Sequence, residues 1–155
     1  MIDIKRIIVQ EILIRAMALK DKYTNEREAT AAWICIFSQN DKEYQELLTE
    51  AQKLGDVFET DLSGTKLLLD EPPMGSNARI LKIRKPDPKK PEKGDVDFTV
   101  SNYANFKKEY QNKKNFKLIQ RDSFEMLELT EPGATVRAYF SNPPIEEQYQ
   151  DLLKK

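Results

Sequence analysis

The side chains best suited to chemistry alternate along one predicted strand. Asp95, Asp97 and Thr99 are separated by single apolar residues. Side chains alternate between the two faces of a strand, so these three share one face. Two carboxylates at this spacing can shift each other's pKa and act as an acid and base pair. The alternative is that Asp97 pairs with Arg137 and Asp95 pairs with Lys82, which would leave no vacancy for a ligand.

Two further predicted strands carry basic and aromatic side chains. Lys82 and Arg84 lie near the end of one strand, and Arg137 and Tyr139 alternate with apolar residues in the other. Arginine can bind a carboxylate or phosphate through two parallel charged hydrogen bonds, and tyrosine adds an apolar ring with a hydroxyl group. Three cations against two carboxylates would leave a local positive excess. We therefore predict a site for a small anionic ligand, aromatic or conjugated, at Lys82, Arg84, Asp95, Asp97, Thr99, Arg137 and Tyr139.

The composition excludes several kinds of chemistry. The 155 residues include no histidine, which excludes histidine bases, triads and metal ligands. Cys35 is the single cysteine, so neither an intrachain disulfide nor a cysteine metal cluster can form. We expect Cys35 to face the helix-covered side of its strand with Trp33 and Phe37, as a small buried apolar residue.

The net charge and the hydropathy of the sequence argue against two kinds of binding partner, nucleic acid and membrane. A net charge of -1, from 25 basic and 26 acidic residues, argues against a nucleic-acid partner, which usually requires a basic surface. The sequence contains no apolar run long enough to span a bilayer, and charged residues interrupt its apolar N-terminal segment. We therefore expect a cytoplasmic protein that binds neither nucleic acid nor membrane.

Residues 1–31 predict an N-terminal helical segment. Apolar residues at helical spacing indicate a helix over Ile2–Lys22, and a possible cap at Thr24 indicates a short second helix that ends near Ala32. The apolar surface of the first helix is wider than one stripe. We expect it to be covered on two sides, by the domain and by a second copy in a homodimer.

The rest of the chain repeats one order of elements on either side of a proline-rich linker at 87–94. We assign a first βαβββ module to 32–86, a second to 95–144 and a C-terminal helix to 145–155. The first module contains a predicted strand at 33–38, a helix at 41–54 and strands at 56–62, 65–70 and 78–85. The second contains a strand at 95–101, a helix at 103–111 and strands at 116–121, 124–129 and 135–141.

This duplicated unit resembles the glyoxalase, bleomycin-resistance and extradiol-dioxygenase superfamily, also called the vicinal oxygen chelate superfamily. The resemblance covers about residues 32–143, and its best local match is Asp95-Val-Asp-Phe-Thr-Val-Ser-Asn102. It implies an α+β fold in which tandem βαβββ modules form a curved mixed sheet with helices outside, preceded by the N-terminal helices.

The resemblance also implies where a metal would bind, on the first and last strands of each module. The corresponding positions are Ala32, Lys82, Asp95 and Tyr139. Alanine cannot ligate a metal, and a lysine ammonium would repel a divalent cation. We therefore predict no metal and no cofactor.

Three functions remain open at this point. The first is a metal-independent protein that binds a small anion. The second is a metal-independent enzyme with Asp95 or Asp97 as base and Tyr139 as acid. The third is a structural or partner-binding homodimer without a ligand. A concave pocket would support the first two, and a flat solvated sheet would support the third.

Overall fold

A computed structural model describes residues 2–154. The strands are β1 Thr30–Phe37, β2 Gly55–Asp61, β3 Gly64–Leu69, β4 Ile80–Arg84, β5 Gly94–Thr99, β6 Phe116–Gln120, β7 Glu125–Leu129 and β8 Val136–Asn142. The helices are α1 Ile4–Arg6, α2 Ile14–Tyr23, α3 Asp41–Ala51, α4 Tyr103–Tyr110, α5 Ile145–Gln148 and α6 Gln150–Leu153. A π-helical segment, Ile7–Leu13, joins α1 to α2 in one continuous N-terminal helix.

All eight strands belong to one mixed sheet. Their order is β2-β3-β4-β1-β5-β8-β7-β6. The two halves of the sheet are symmetric, because β5, β6, β7 and β8 occupy the positions that correspond to β1, β2, β3 and β4. In each module the first and last strands are parallel, and β1 joins β5 antiparallel at the centre of the sheet. The predicted α+β fold of tandem βαβββ modules in a mixed sheet is confirmed, and β2 and β6 form its two outer edges.

Equivalent asparagines begin the helix of each module. The side chain of Asn40 accepts a hydrogen bond of 2.8 Å from the Glu43 amide at the start of α3. The side chain of Asn102 accepts one of 3.1 Å from the Asn105 amide at the start of α4. A side chain that satisfies a free amide of the first turn favours helix initiation at that residue. The same local signal therefore follows the first strand of both modules.

The apolar side chains of the helices and of one face of the sheet form the main core. Leu47 from α3 and Phe106 from α4 are buried in it. The N-terminal helix adds Ile8 and Ile12, and its π-helical segment contacts both β1 and β5. It therefore covers the junction between the two modules, which explains why so many of its residues are apolar.

The predicted second helix after residue 24 is wrong. The Thr24 hydroxyl donates to the Lys20 carbonyl oxygen at 2.9 Å and accepts from the Glu26 amide at 3.1 Å, which closes the N-terminal helix. The first strand already begins at Thr30. Ala31 and Ala32 are buried in that strand, so sheet packing overrides the helix propensity of alanine.

The outer side of the N-terminal helix is partly apolar. Ile14 is 55% exposed and Met17 is 37% exposed, whereas Ile12 and Ala16 are fully buried. The expected homodimer stays a prediction. Among the helices of residues 2–154, none has the length and apolar character needed to cross a membrane.

Candidate functional site

The sheet face opposite α3 and α4 contains a cavity of about 340 Å³ at the junction of the two modules. Its walls come from the four central strands, from β3, from the linker, from β6 and β7 and from the C-terminal helices. Five of the seven predicted site residues line it: Lys82, Arg84, Asp95, Asp97 and Tyr139. Thr99 and Arg137 do not belong to its lining.

Strand register explains why residues so distant in sequence meet here. One row across the sheet runs Lys66, Lys82, Cys35, Asp95, Arg137, and neighbouring members are directly paired. A second row runs Ile80, Trp33, Asp97, Tyr139, Glu128. Side chains on these positions project to one face because the two rows are two residues apart on β1, β4, β5 and β8.

Asp95 and Asp97 are the buried acidic groups of the cavity. They are 9% and 5% exposed, and the Oδ1 atom of each is buried with no hydrogen-bond partner among residues 2–154. The other oxygen of Asp97, Oδ2, accepts a hydrogen bond from the Ser141 hydroxyl. Burial raises the pKa of both carboxyl groups to about 7. Each can therefore gain or lose a proton near neutral pH.

Four basic side chains of the cavity make no ion pair among residues 2–154, and three of them, Lys82, Arg84 and Lys90, are buried or half-buried, whereas Arg121 is exposed. The Lys82 ammonium donates to the Ser63 hydroxyl at 2.6 Å. Within the described part of the chain, no carboxylate lies within 4.0 Å of the charged nitrogens of Lys82, Arg84 or Lys90. Burial, foremost, lowers the pKa of both lysines. These groups are therefore partly dehydrated cations that make no direct ion pair, and the charge of Asp95 in the same cavity acts on all three of them.

Arg137 and Tyr139 belong to a hydrogen-bonded network. The Tyr139 hydroxyl donates to Glu128 Oε2 at 2.7 Å, and Arg137 Nη1 donates to the same oxygen at 3.3 Å. Arg137 Nε also donates to Glu92 Oε2 at 2.8 Å. Neither pairing considered from the sequence, Arg137 with Asp97 or Lys82 with Asp95, is present. Burial and nearby carboxylates raise the pKa of Tyr139, so its hydroxyl keeps its proton.

Two further expectations need correction. Thr99 donates from its hydroxyl to Glu146 Oε1 at 2.6 Å, beyond the cavity. Cys35 and Trp33 were expected to face the helix-covered side of β1, but both line the cavity. The residues of this strand that face the helices are Ile34 and Ile36. Because the strand is a continuous apolar run, its sequence does not show which alternate side chains face the helices. Burial and the neighbouring Asp95 raise the pKa of the Cys35 thiol well above its usual range, which makes it a poor nucleophile.

The linker contributes to the site. Lys90 lines the cavity, and Glu92 pairs with Arg137. The Lys90 ammonium lies 5.8 Å from the centre of the Phe37 ring. The Phe37 amide donates to the Lys93 carbonyl oxygen at 2.8 Å, which ties the linker to the end of β1. Linkers have no periodic pattern, so the sequence carried no signal for Lys90.

The C-terminal helices close one side of the cavity. Tyr149 lies against Trp33 and Phe58, with ring centres 6.0 and 6.1 Å apart. Lys66 lies over both Trp33 and Tyr149, at 5.7 and 5.8 Å from the ring centres, and donates to the Tyr149 hydroxyl at 3.3 Å. These aromatic rings give the cavity an apolar wall on the side of the first module.

Other lining residues also escaped the sequence analysis: Lys66, Ile119, Arg121, Phe124, Met126, Glu128 and Ser141. Alternation along β3, β7 and β8 could have placed Lys66, Glu128 and Ser141 on the polar face. A larger groove of about 680 Å³ contains Arg137 but is open to solvent and lacks the unpartnered aspartates. The smaller cavity is therefore the better candidate site.

The residues present do not fit the metal that the family resemblance implies. Lys82, Asp95 and Tyr139 line the cavity, while Ala32 packs against Ile80 and Ile145. Nowhere in residues 2–154 do three cysteine or acidic side chains converge to hold a metal ion. Metal independence stays a prediction.

Comparison with known proteins supports the fold and leaves the activity open. A solved structure described as "Structural Genomics, Protein EC4020" is similar to this chain, with a TM-score of 0.68 and 16% sequence identity. The similarity covers 94% of this chain and 91% of that chain. No protein-family model and no curated protein matches the sequence.

Proposed function

We propose that this chain is a metal-independent protein that binds a small anion in the cavity. The observation that carries the proposal is the set of three buried or half-buried basic side chains, Lys82, Arg84 and Lys90, that line the cavity without a direct ion pair among residues 2–154. Mutual repulsion of dehydrated cations is unfavourable, and a bound anion would relieve it. The tandem βαβββ topology supports a distant relation to the vicinal oxygen chelate superfamily. A cytoplasmic location stays a prediction.

The charges of the whole cavity agree with this proposal. Its five basic side chains are Lys66, Lys82, Arg84, Lys90 and Arg121, and its three acidic ones are Asp95, Asp97 and Glu128. Lys66 already pairs with Glu59 outside the lining. Arg84 has the planar donor geometry that a carboxylate or phosphate requires. Trp33 and Tyr149 supply an apolar surface for an aromatic or conjugated ligand.

Ligand titration tests the proposal directly. Benzoate and inorganic phosphate should raise the Tm of the native protein and change the fluorescence of Trp33, the single tryptophan. Arg84→Gln should weaken binding about tenfold, because it removes a charged hydrogen-bond donor. Arg27→Gln, on a residue outside the cavity, is the matched control and should bind as the wild type does. If no anion in a broad screen shifts Tm or fluorescence, the proposal is wrong.

A second candidate function is acid and base catalysis without a metal. Asp95 favours it, because its pKa of about 7 and its unpartnered oxygen suit a general base. Asp97 is the alternative base. Tyr139 remains the candidate acid, although its hydroxyl donates a hydrogen bond to Glu128. Deuterium exchange into a bound carbon acid, lost in Asp95→Asn and kept in Asp122→Asn, would support this function.

A further inference from the structure

The two walls of the cavity carry opposite charge. Lys66 and Lys82 and Arg84 come from β3 and β4, and Lys90 comes from the linker that follows β4. Asp95 and Asp97 come from β5 on the other side of β1. The second module also contributes Glu128 and one basic side chain, Arg121. The cavity is therefore cationic toward the first module and predominantly acidic toward the second. A simple anion would satisfy only one of these walls.

The acidic wall contains two buried oxygens that receive no hydrogen bond from residues 2–154. Asp95 and Asp97 are each more than nine-tenths buried and line the cavity. Among residues 2–154, Oδ1 of each has no hydrogen-bond partner, and Ser141 is the donor to the other oxygen of Asp97. A buried acceptor without a donor is costly, so a ligand that supplies donors gains binding energy at this wall.

We propose that the ligand is an amino acid in the broad sense, with its anionic group at Lys82 and Arg84 and its ammonium group at Asp95 and Asp97. This inference depends on the proposed anion site and specifies its ligand class. An ammonium group provides three donors and a positive charge, and it matches two neighbouring acidic acceptors better than a hydroxyl group does.

Strand geometry sets the spacing between the two ligand groups. Lys82 and Asp95 are paired to the same residue of β1, Cys35, from opposite sides. Neighbouring strands are about 4.8 Å apart, so the Cα atoms of Lys82 and Asp95 are separated by roughly 10 Å. Part of this span is taken by the side chains themselves. An aliphatic chain of about four carbon atoms between the two ligand groups is compatible with this spacing.

A matched set of linear probes tests the inference. Pentanoate, 5-hydroxypentanoate, 5-aminopentanoate and pentylamine would be titrated into the full chain at pH 8 and low salt. Binding would be followed by Trp33 fluorescence and by the NMR signal of its indole. At pH 8 the aspartates are mostly ionised, because their pKa is about 7. We expect 5-aminopentanoate to bind about tenfold more tightly than pentanoate, as a charged hydrogen bond would provide.

Variants and pH identify the wall responsible. In Asp95→Asn with Asp97→Asn the advantage of 5-aminopentanoate should fall to less than about twofold, while pentanoate binds at least as well as before. Asp122→Asn, on an exposed residue, is the control and should keep the advantage. If the double variant does not fold, wild-type protein at pH 5.5 replaces it, since protonation of the aspartates should also reduce the advantage.

The outcomes separate this inference from the proposed function. Equal affinity for pentanoate and 5-aminopentanoate overturns the ammonium assignment and leaves anion binding intact. Equal gains from 5-hydroxypentanoate and 5-aminopentanoate also overturn it, because neutral donors would then suffice. No binding of either carboxylate, together with a negative anion screen, overturns both proposals.

Discussion

The concave faces of the two modules differ in chemistry although their strands follow the same order. The first module presents basic groups and Trp33, and the C-terminal helices cover part of its face through Tyr149. The second module presents Asp95, Asp97 and the hydroxyl of Ser141. The shared topology places the cavity at the junction, and the divergent side chains give each wall its own charge. The topology alone therefore does not determine function.

The largest effect on stability is expected from a substitution at the contact between the two modules. A Cβ atom on Gly94 would lie 2.2 Å from the Cys35 carbonyl oxygen and 2.8 Å from Ile12 Cδ1. We expect Gly94→Val to lower the free energy of unfolding by about 4 kcal/mol or more, because the backbone of β1 cannot move away. Urea denaturation measures this. Gly75→Asn is the control, because a Cβ atom there meets nothing within 4 Å and asparagine tolerates the positive φ of 83° better than most residues do. Equal loss in both variants would contradict the role of the junction.

Removing Arg137 disrupts an ion-pair network of the second module beside the cavity. Its guanidinium pairs with Glu92 and Glu128, and its side chain is 15% exposed. Arg137→Ala removes the charged donor from two half-buried carboxylates, of which Glu128 keeps the Tyr139 hydroxyl, so the free energy of unfolding should fall by about 3 kcal/mol. Binding of benzoate should change little, because Arg137 lies outside the cavity lining. Arg121→Ala, on an exposed residue, should cost less than about 0.5 kcal/mol. An Arg137→Ala variant that stays stable but loses benzoate binding would show that Arg137 contributes to the ligand site.

The pH dependence of stability sharpens the contrast in charge. Burial raises the pKa of Asp95 and Asp97 from 3.8 to about 7 in the folded protein. The folded state therefore holds more protons than the unfolded state between these values. Their contribution to stability is fully present below about pH 4 and is lost as pH rises through about 7.

We expect Asp95→Asn to raise the free energy of unfolding at pH 8 by about 2 kcal/mol and to have a much smaller effect at pH 4. Denaturation curves at each unit of pH would measure this. Asp122→Asn should leave the profile unchanged. A wild-type profile that is flat from pH 4 to 8 would be incompatible with two buried, unpartnered carboxylates.

The smallest expected effect on stability comes from the outer side of the N-terminal helix. Ile14→Glu changes a residue that is 55% exposed, so the free energy of unfolding should change by less than about 0.5 kcal/mol. If this helix mediates the predicted homodimer, the same variant should halve the mass measured by light scattering. Lys42→Glu, at an exposed residue of α3, is the control. A wild-type protein that is already monomeric would disprove the homodimer.

The sequence predicted those elements whose side chains alternate clearly. Asp95 to Thr99 and Arg137 to Tyr139 occur on the strands and the faces expected, because polar and apolar residues alternate there. The helix predicted at 41–54 is shorter in the structure, because α3 ends at Ala51 and Gly55 begins β2. Residue 55 is glycine because a Cβ atom would lie 2.1 Å from the Leu68 carbonyl oxygen.

Pairing across the sheet was beyond reach of the sequence. Arg137 was matched to Asp97, whereas its partners are Glu128 on β7 and Glu92 in the linker. Strand order decides such partners, and local residue pattern carries no information about it. Tyr149 reaches the cavity from the C-terminal helices for the same reason, through packing between distant segments.

The strand order also has a consequence for solubility. It leaves β2 and β6 at the margins of the sheet, where backbone groups could recruit a strand from another molecule and start aggregation. Asp56, Glu59 and Asp61 lie on β2 without any basic residue in that strand, and Lys117 lies on β6. Two copies that met through the same margin would oppose like charges. Each margin therefore resists extension of the sheet by its own counterpart.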